Sequence, residues 1–284
     1  MPNCITIIFC LVFGIPAIAH PGWGLSMDQN GNLYIPDIAR NGKGTLWKLT
    51  PDRQLIPLMK DFHCHNVNVL PNGDMYAAHG ENNHTLIRWS NDALDTIVHE
   101  TNFDHFFGGN CVVSPNGNIY FSINHHIWQK FPDGRIEKAN DQYLEWNQAI
   151  YVDENECIYV PDIGIEEGVL YRLSPGGNAE KIATQLVSRL ERPRDKHNDV
   201  LLGMTKDKYG NIYIAESAGQ RIIQINTSGQ KNTYYQSESG WYPVGICIQN
   251  ETDFLTEYHQ SSIYKTRVIR IEADGNPGVY FEFP

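Results

Sequence analysis

His65, His125, His197 and His259 stand far apart in a chain of 284 residues. Imidazole is the commonest nitrogen ligand for Zn, Cu and Fe, and it titrates near neutrality. A set of such side chains brought to one place can hold a divalent ion or move a proton. His79 is a further candidate ligand. His197 and Glu216 are candidates for the acid–base group. Arg192 and Arg194 lie in a basic stretch suited to clamping an anionic substrate group, and Trp146 and Gln148 are candidate substrate contacts. His20 follows Ala17-Ile18-Ala19. Were the chain cleaved after Ala19, the new α-amine and the His20 imidazole would together chelate a Cu ion. No HExxH and no paired CxxC is present, so only a fold can bring these residues together.

Such a fold is written in a recurring phrase. Ser114–Phe121 reads Ser-Pro-Asn-Gly-Asn-Ile-Tyr-Phe, Asp28–Ile35 reads Asp-Gln-Asn-Gly-Asn-Leu-Tyr-Ile, and Leu70–Ala77 and Asp207–Ile214 repeat the pattern. Asp153–Val160, with Glu156 in place of the glycine, and Gln249–Thr256 are worn copies. Each predicts a two-residue Asn-Gly hairpin turn running into a β-branched and aromatic strand. The turn positions 31, 73, 117, 156, 210 and 252 are separated by 42, 44, 39, 54 and 42 residues, the period of a propeller blade. A short apolar strand precedes each hairpin, and a third strand, a polar turn and a ragged fourth strand follow it. The expected fold is all-β: a six-bladed β-propeller with four antiparallel strands per blade, spanning residues 20–284. The widest spacing places an insertion at Gln185–Asp199, ahead of blade 5.

In a propeller, the loops entering first strands and leaving second strands open on one end of the central channel. His20, His63, His65, His105 and His197 precede first strands. His79, His84, His125, His126 and His259 follow second strands. Only His99 falls elsewhere. The ends of the second strands carry Asp37, His79, Asp162, Glu216 and Glu257 at one register, and in blade 3 that register falls on Ile123. A histidine-lined channel mouth is therefore expected, although strand-end acids can also serve neighbouring backbone amides.

A formal charge of −11 excludes nucleic acid and anionic membrane as main partners. Residues 1–19 stand outside the repeat. Ile5–Ile18 is almost wholly apolar and short for a bilayer span, so it reads as a signal peptide and the chain as secreted or periplasmic, with no membrane contact after cleavage. An uncleaved anchor is the other reading. Cys64, Cys111, Cys157 and Cys247 then remain, and their positions in the repeat favour buried free thiols over pairing. Nothing in the sequence calls for more than a monomer.

The phrase Asp-x-x-Gly-Asn-Ile/Leu-Tyr-Ile/Val-x-Asp/Glu resembles the repeat of the NHL and gluconolactonase-like six-bladed propellers over nearly all of the chain after residue 20. The resemblance implies lactonase, phosphotriesterase, lyase or plain binding activities. In the gluconolactonase branch it implies a channel Ca²⁺ held by Glu, Asn, Asn and Asp at the starts of first strands. This chain has Trp23, His65, Gly109, Gln148, Leu202 and Val244 there. Only Gln148 matches an oxygen ligand, with Asn110 and Asn147 adjacent, so a histidine-bound Zn, Cu or Fe is expected before Ca. Two readings stand beside each other. One is a metal-dependent hydrolase or lyase acting on a small or oligomeric polar substrate, anionic if the basic insertion contacts it. The other is a non-catalytic propeller that binds a ligand or protein through aromatics such as Trp23, Phe106, Phe107, Trp146 and Trp241. A copper protein with His20 as ligand is a third.

Overall fold

The computed structural model describes residues 22–38, 43–81, 83–91, 93–165, 167–174, 177–189, 200–248 and 252–284. These residues form six four-stranded antiparallel sheets, each built from consecutive strands. The six sheets are the blades of a β-propeller. In blade 1, for example, Leu33–Asp37 pairs with Ser26–Met27 on one side and Thr45–Leu49 on the other. Among the described residues no strand is shared between the first and last blades. The ring closes by packing, with Leu25, Leu33 and Ile35 of blade 1 against Phe254, Val268 and Phe283 of blade 6. The Tyr280 hydroxyl adds a bond to the Pro51 carbonyl at 3.0 Å.

The core lies between blades. Each blade has two apolar faces, and the buried clusters join neighbours: blades 1 and 2 around Tyr34 and Met75, blades 2 and 3 around Phe106 and Phe121, blades 3 and 4 around Tyr120 and Tyr171. Cys64, Cys111, Cys157 and Cys247 are buried free thiols in layers between blades. Burial pushes the Cys64 thiol up to about 12, so it packs as a small neutral hydrophobe.

The hairpins differ from the expected two-residue turn. Gly31 N–H bonds the Asp28 carbonyl, and Asp28 N–H bonds the Asn32 carbonyl, which leaves three residues in the loop. Gly31 has φ +78°, while Asn30 does not enter the positive region. The reason is the Asp28 carboxylate, which accepts the Asn30 and Asn32 amides at 2.9 Å each and so holds Asn30 in the right-handed region. The same carboxylate takes the Tyr34 hydroxyl at 3.0 Å, and Asp207 repeats the set with Tyr213 in blade 5.

Blade 3 has Ser114 where the aspartate belongs. Glu156, from the worn turn of blade 4, supplies the missing carboxylate across the interface. It accepts from Asn116 at 2.8 Å, from Asn118 at 3.0 Å and from the Tyr120 hydroxyl. Glu156 tolerates φ +61° in the glycine position to do so. The next interface has its own tie, with Lys206 of blade 5 bonding Asp153 of blade 4 at 2.8 Å.

Two measurements check these ties. Glu156→Gly is expected to lower stability in urea by about 1–3 kcal/mol, because relieving the backbone does not replace three lost acceptor contacts. A variant as stable as wild type would contradict the role given to Glu156. Burial pushes the Asp153 carboxyl upward, but the Lys206 ammonium and the Cys157 and Asn155 amides outweigh it and hold the carboxyl below its usual range. Its contribution is therefore complete at neutral pH and is lost as pH falls below about 4. Unfolding midpoints should drop more steeply in that range for wild type than for Asp153→Asn.

Candidate functional site

The ends of the second strands secure the loops that enter the first strands. Asp162 is fully buried, and its carboxylate accepts the amides of Glu145 at 2.7 Å, Trp146 at 2.9 Å and Gly164 at 2.9 Å. Glu216, also fully buried, takes the Ser188 amide and an ion pair from Arg221 at 2.5 Å. Glu257 takes the Ser237 hydroxyl at 2.5 Å and Arg267 at 2.7 Å. In blade 2 the register residue is His79, whose Nδ1 accepts the His63 amide at 2.9 Å. Blade 3 carries Ile123 there, which cannot accept. Its loop is held by His84 Nδ1 on the Gly108 amide at 2.8 Å and by Asn110 Oδ1 on the Ser122 amide at 3.0 Å. Burial, with the neighbouring His79, holds the His84 imidazole below its usual range and so in the neutral, accepting form.

Those loops surround an upper cavity of about 360 Å³ lined by Trp23, His65, Phe107, Gly109, Asn110, Ser122, Trp146, Asn147 and Gln148. A lower cavity of about 310 Å³ runs among the first strands of all six blades, and Trp23 lines both. Close backbone approach narrows the channel here. A Cβ on Gly203 would stand 2.4 Å from the Trp23 carbonyl oxygen and 2.6 Å from that of Val244. On the upper wall, Ser122 donates its hydroxyl to Asn147 Oδ1 at 2.9 Å. Asn147 Nδ2 and Gln148 Oε1 are buried and have no hydrogen-bond partner. One is a donor and the other an acceptor.

His65 is fixed in this wall by three contacts. Its ring stacks on Trp23 with centroids 4.6 Å apart and 5° between planes. Its carbonyl accepts the Trp23 and Gly24 amides at 2.8 and 3.0 Å. Its Nδ1 lies 3.1 Å from the Gly109 carbonyl. A carbonyl only accepts, so Nδ1 carries the proton and the neutral ring presents a lone pair at Nε2. That nitrogen faces His63 Nε2 at 3.0 Å, the distance of an imidazole–imidazole hydrogen bond.

Of the residues singled out in the sequence, the structure brings His65, Trp146 and Gln148 to one cavity. His79 sits behind His63, with Nδ1 taken by the backbone. His125 lies at the blade 3 strand end, its Nδ1 on the Leu144 carbonyl at 2.9 Å and its ring stacked on Tyr143 at 4.7 Å. His259 packs on Trp241 in blade 6 at 5.1 Å and bonds the Ser261 hydroxyl at 2.7 Å. Glu216 does not line the cavity. His20, Arg192, Arg194 and His197 lie outside the described residues, although Leu186 and Val187, at the start of the insertion, are buried. Among the described residues, no group of three or more His, Cys, Asp or Glu is placed to hold a metal ion. Among the aromatics, Phe106 and Trp241 are buried, the latter beneath the Arg267 guanidinium at 3.9 Å.

Sequence reasoning passed over His63 as a partner of His65, and it passed over Ser122. Asn110 and Asn147 were noticed only as neighbours of the ligand register. The available signal was the His-x-His spacing at positions 63 and 65, which puts both rings on one side of an extended strand.

No protein-family model matches the sequence, and no curated protein matches it. Solved structures match along most of the chain. A streptogramin B lyase superposes with a TM-score of 0.61 at 17% identity, covering 93% of this chain and 84% of that one. A gluconolactonase from Xanthomonas campestris gives 0.61 at 13%, covering 84% and 83%. Regucalcin, a calcium-binding protein from Agrobacterium tumefaciens, gives 0.59 at 13%, covering 84% and 82%. The chain therefore shares the six-bladed propeller fold of the gluconolactonase-like proteins and streptogramin lyases, and at these identities the likeness is one of fold. Propellers of this shape carry unrelated activities, so the local site has to argue the chemistry.

The clasp at Asp162 is testable. Asp162→Ala removes the acceptor of three amides and is expected to cost about 2–4 kcal/mol of stability. Hydrogen exchange at Glu145 and Trp146 should accelerate more than at the propeller core. Unchanged protection at those two amides would contradict the clasp.

Proposed function

We propose that the upper cavity binds a small or oligomeric polar ligand and carries out acid–base chemistry on it, as a hydrolase or lyase, with His65 as the base. The observation that carries this reading is the pair of partnerless buried amide atoms, Asn147 Nδ2 and Gln148 Oε1, in two residues that line the cavity. Leaving such atoms unsatisfied costs about 1–3 kcal/mol each, and a polar ligand removes that cost on binding. Trp23, Phe107 and Trp146 supply apolar faces for the rest of the ligand.

With Nδ1–H held by the Gly109 carbonyl, the one lone pair of the neutral His65 ring is at Nε2 and is engaged by His63 Nε2, so His65 takes a proton from substrate or water there once that hydrogen bond opens. His63 is the group whose place at Nε2 the substrate or water takes. Asn147 Nδ2 is suited to stabilising negative charge that develops on an oxygen. The apolar Ile5–Ile18 stretch ahead of Ala19 supports export of the chain. A purely binding propeller is the second reading, favoured by the exposure of Trp146 on the cavity rim.

A screen of lactones, esters and saccharide derivatives against the purified chain tests the proposal. His65→Gln should lower kcat by about a hundredfold or more while ligand affinity changes only severalfold. Activity should survive chelation by EDTA. Undiminished turnover in His65→Gln overturns the catalytic role. Ligand binding with no turnover of any compound establishes the binding-only reading.

A further inference from the structure

The aromatic side chains around the upper cavity continue beyond it. Among the described residues the exposed aromatic side chains are Phe103, Tyr143, Trp146 and Tyr209. Three of the four stand on the two loops that bound this cavity. Trp146 is 39% exposed, Tyr143, three residues upstream, is 55% exposed, and Phe103 is 49% exposed. Large aromatic faces left in water usually mark a surface that something covers.

Their backbone is held in place. Leu144 N–H bonds the His125 carbonyl at 2.8 Å, and Ile163 N–H bonds the Trp146 carbonyl at 2.9 Å. Asp162 takes the Glu145 and Trp146 amides. Tyr143 rests on the His125 ring, and Phe103 packs edge-on against His84 at 4.2 Å, with Phe107 on the same imidazole at 5.1 Å. The rings are therefore presented in fixed positions, which lowers the entropy lost when a ligand stacks on them.

The cavity wall specifies the polar chemistry. Asn147 Nδ2 needs an acceptor and Gln148 Oε1 needs a donor. A hydroxyl group is both at once, whereas a carbonyl would satisfy only the first. No Lys, Arg, Asp or Glu is among the residues lining the cavity, and the whole chain carries a formal charge of −11. Hydroxyls, apolar ring faces and no formal charge describe a neutral saccharide. Resting on the reading of the upper cavity as a ligand site, we propose that its ligand is a neutral oligosaccharide. One sugar sits against Asn147 and Gln148 while the chain continues outward over Trp146 and Tyr143. A peptide would instead look for backbone partners, and the exposed part of this surface offers ring faces.

The test is calorimetric titration of the full chain with neutral oligosaccharides of one to six units from several linkage series, alongside an aromatic-rich peptide of similar size. Affinity is expected to rise with chain length in at least one series. Tyr143→Ala should weaken the longer members about five- to tenfold and leave the single sugar nearly unchanged, while Trp146→Ala, at a residue that also lines the cavity, should weaken every member and the longer ones most. Gln148→Leu should weaken all members alike. Binding of a single sugar that depends on Gln148 but not on chain length or Tyr143 overturns the extended platform and leaves the cavity reading standing. Binding of the peptide and of no saccharide, or of neither, overturns the proposal. In the latter case, failure of the wider compound screen as well removes the cavity reading too.

Discussion

A four-stranded blade has two apolar faces and no means of burying either alone, and every other feature of this protein follows from that constraint. Only a closed ring gives each face a partner, so the hydrophobic layers stand between blades. Among the described residues the ring closes without a shared strand, which leaves the blade 1–blade 6 boundary to side-chain packing and the Tyr280–Pro51 hydrogen bond. The polar ties at the turn end of the ring respect the same boundary logic. Glu156 serves blade 3 from blade 4, and Lys206 serves blade 4 from blade 5. Where one repeat has lost its own carboxylate, the neighbour's worn turn has gained one. Two departures from the repeat are in this way one structural solution.

At the opposite end of the ring, the hydrogen-bond acceptors at the second-strand ends turn an array of loops into a rigid rim. Asp162, Glu216, Glu257 and His79 are alike in this, although three are acids and one is an imidazole. Each uses its acceptor atoms on the loop that enters its own blade. A carboxylate buried on amides and an arginine is already fully employed. The residues left to meet a ligand are those the clasps position: Trp146, Asn147 and Gln148 above Asp162, and His65 beside the loop held by His79. The rim side chains proposed to meet a ligand are thus mostly amides and aromatics, neither of which stands out in a sequence search for charged chemistry.

Much of the architecture is readable from periodicity. The Asn-Gly-Asn-Ile-Tyr phrase, its spacing and the alternating apolar strands lead to six blades of four strands. Thr45–Leu49, Val169–Leu173 and Arg221–Ile225 are the third strands of their blades, each following its hairpin as the phrase requires. The turn type is less legible, because Asn-Gly suits a two-residue hairpin until the Asp28 side chain claims the Asn30 amide. The upper cavity was legible in part. Trp146, Gln148 and His65 follow from their position ahead of first strands, but the grouping of His125 and His259 with them does not.

Blade number, strand order, the end of the ring at which each loop emerges and the burial of the cysteines are all consequences of a local pattern repeated along the chain, since hairpin turns and two-residue strand alternation are short-range physics. Which imidazoles meet, and which polar atoms stay without partners, is settled only when the blades pack. Placing a histidine at the channel mouth follows from counting residues. Whether its nitrogen faces His63 at 3.0 Å, as in His65, or the Leu144 carbonyl, as in His125, depends on side-chain angles and on backbone positions brought in from loops far away in sequence. A hydrogen bond is won or lost over a few tenths of an ångström, and no repeat period carries that resolution.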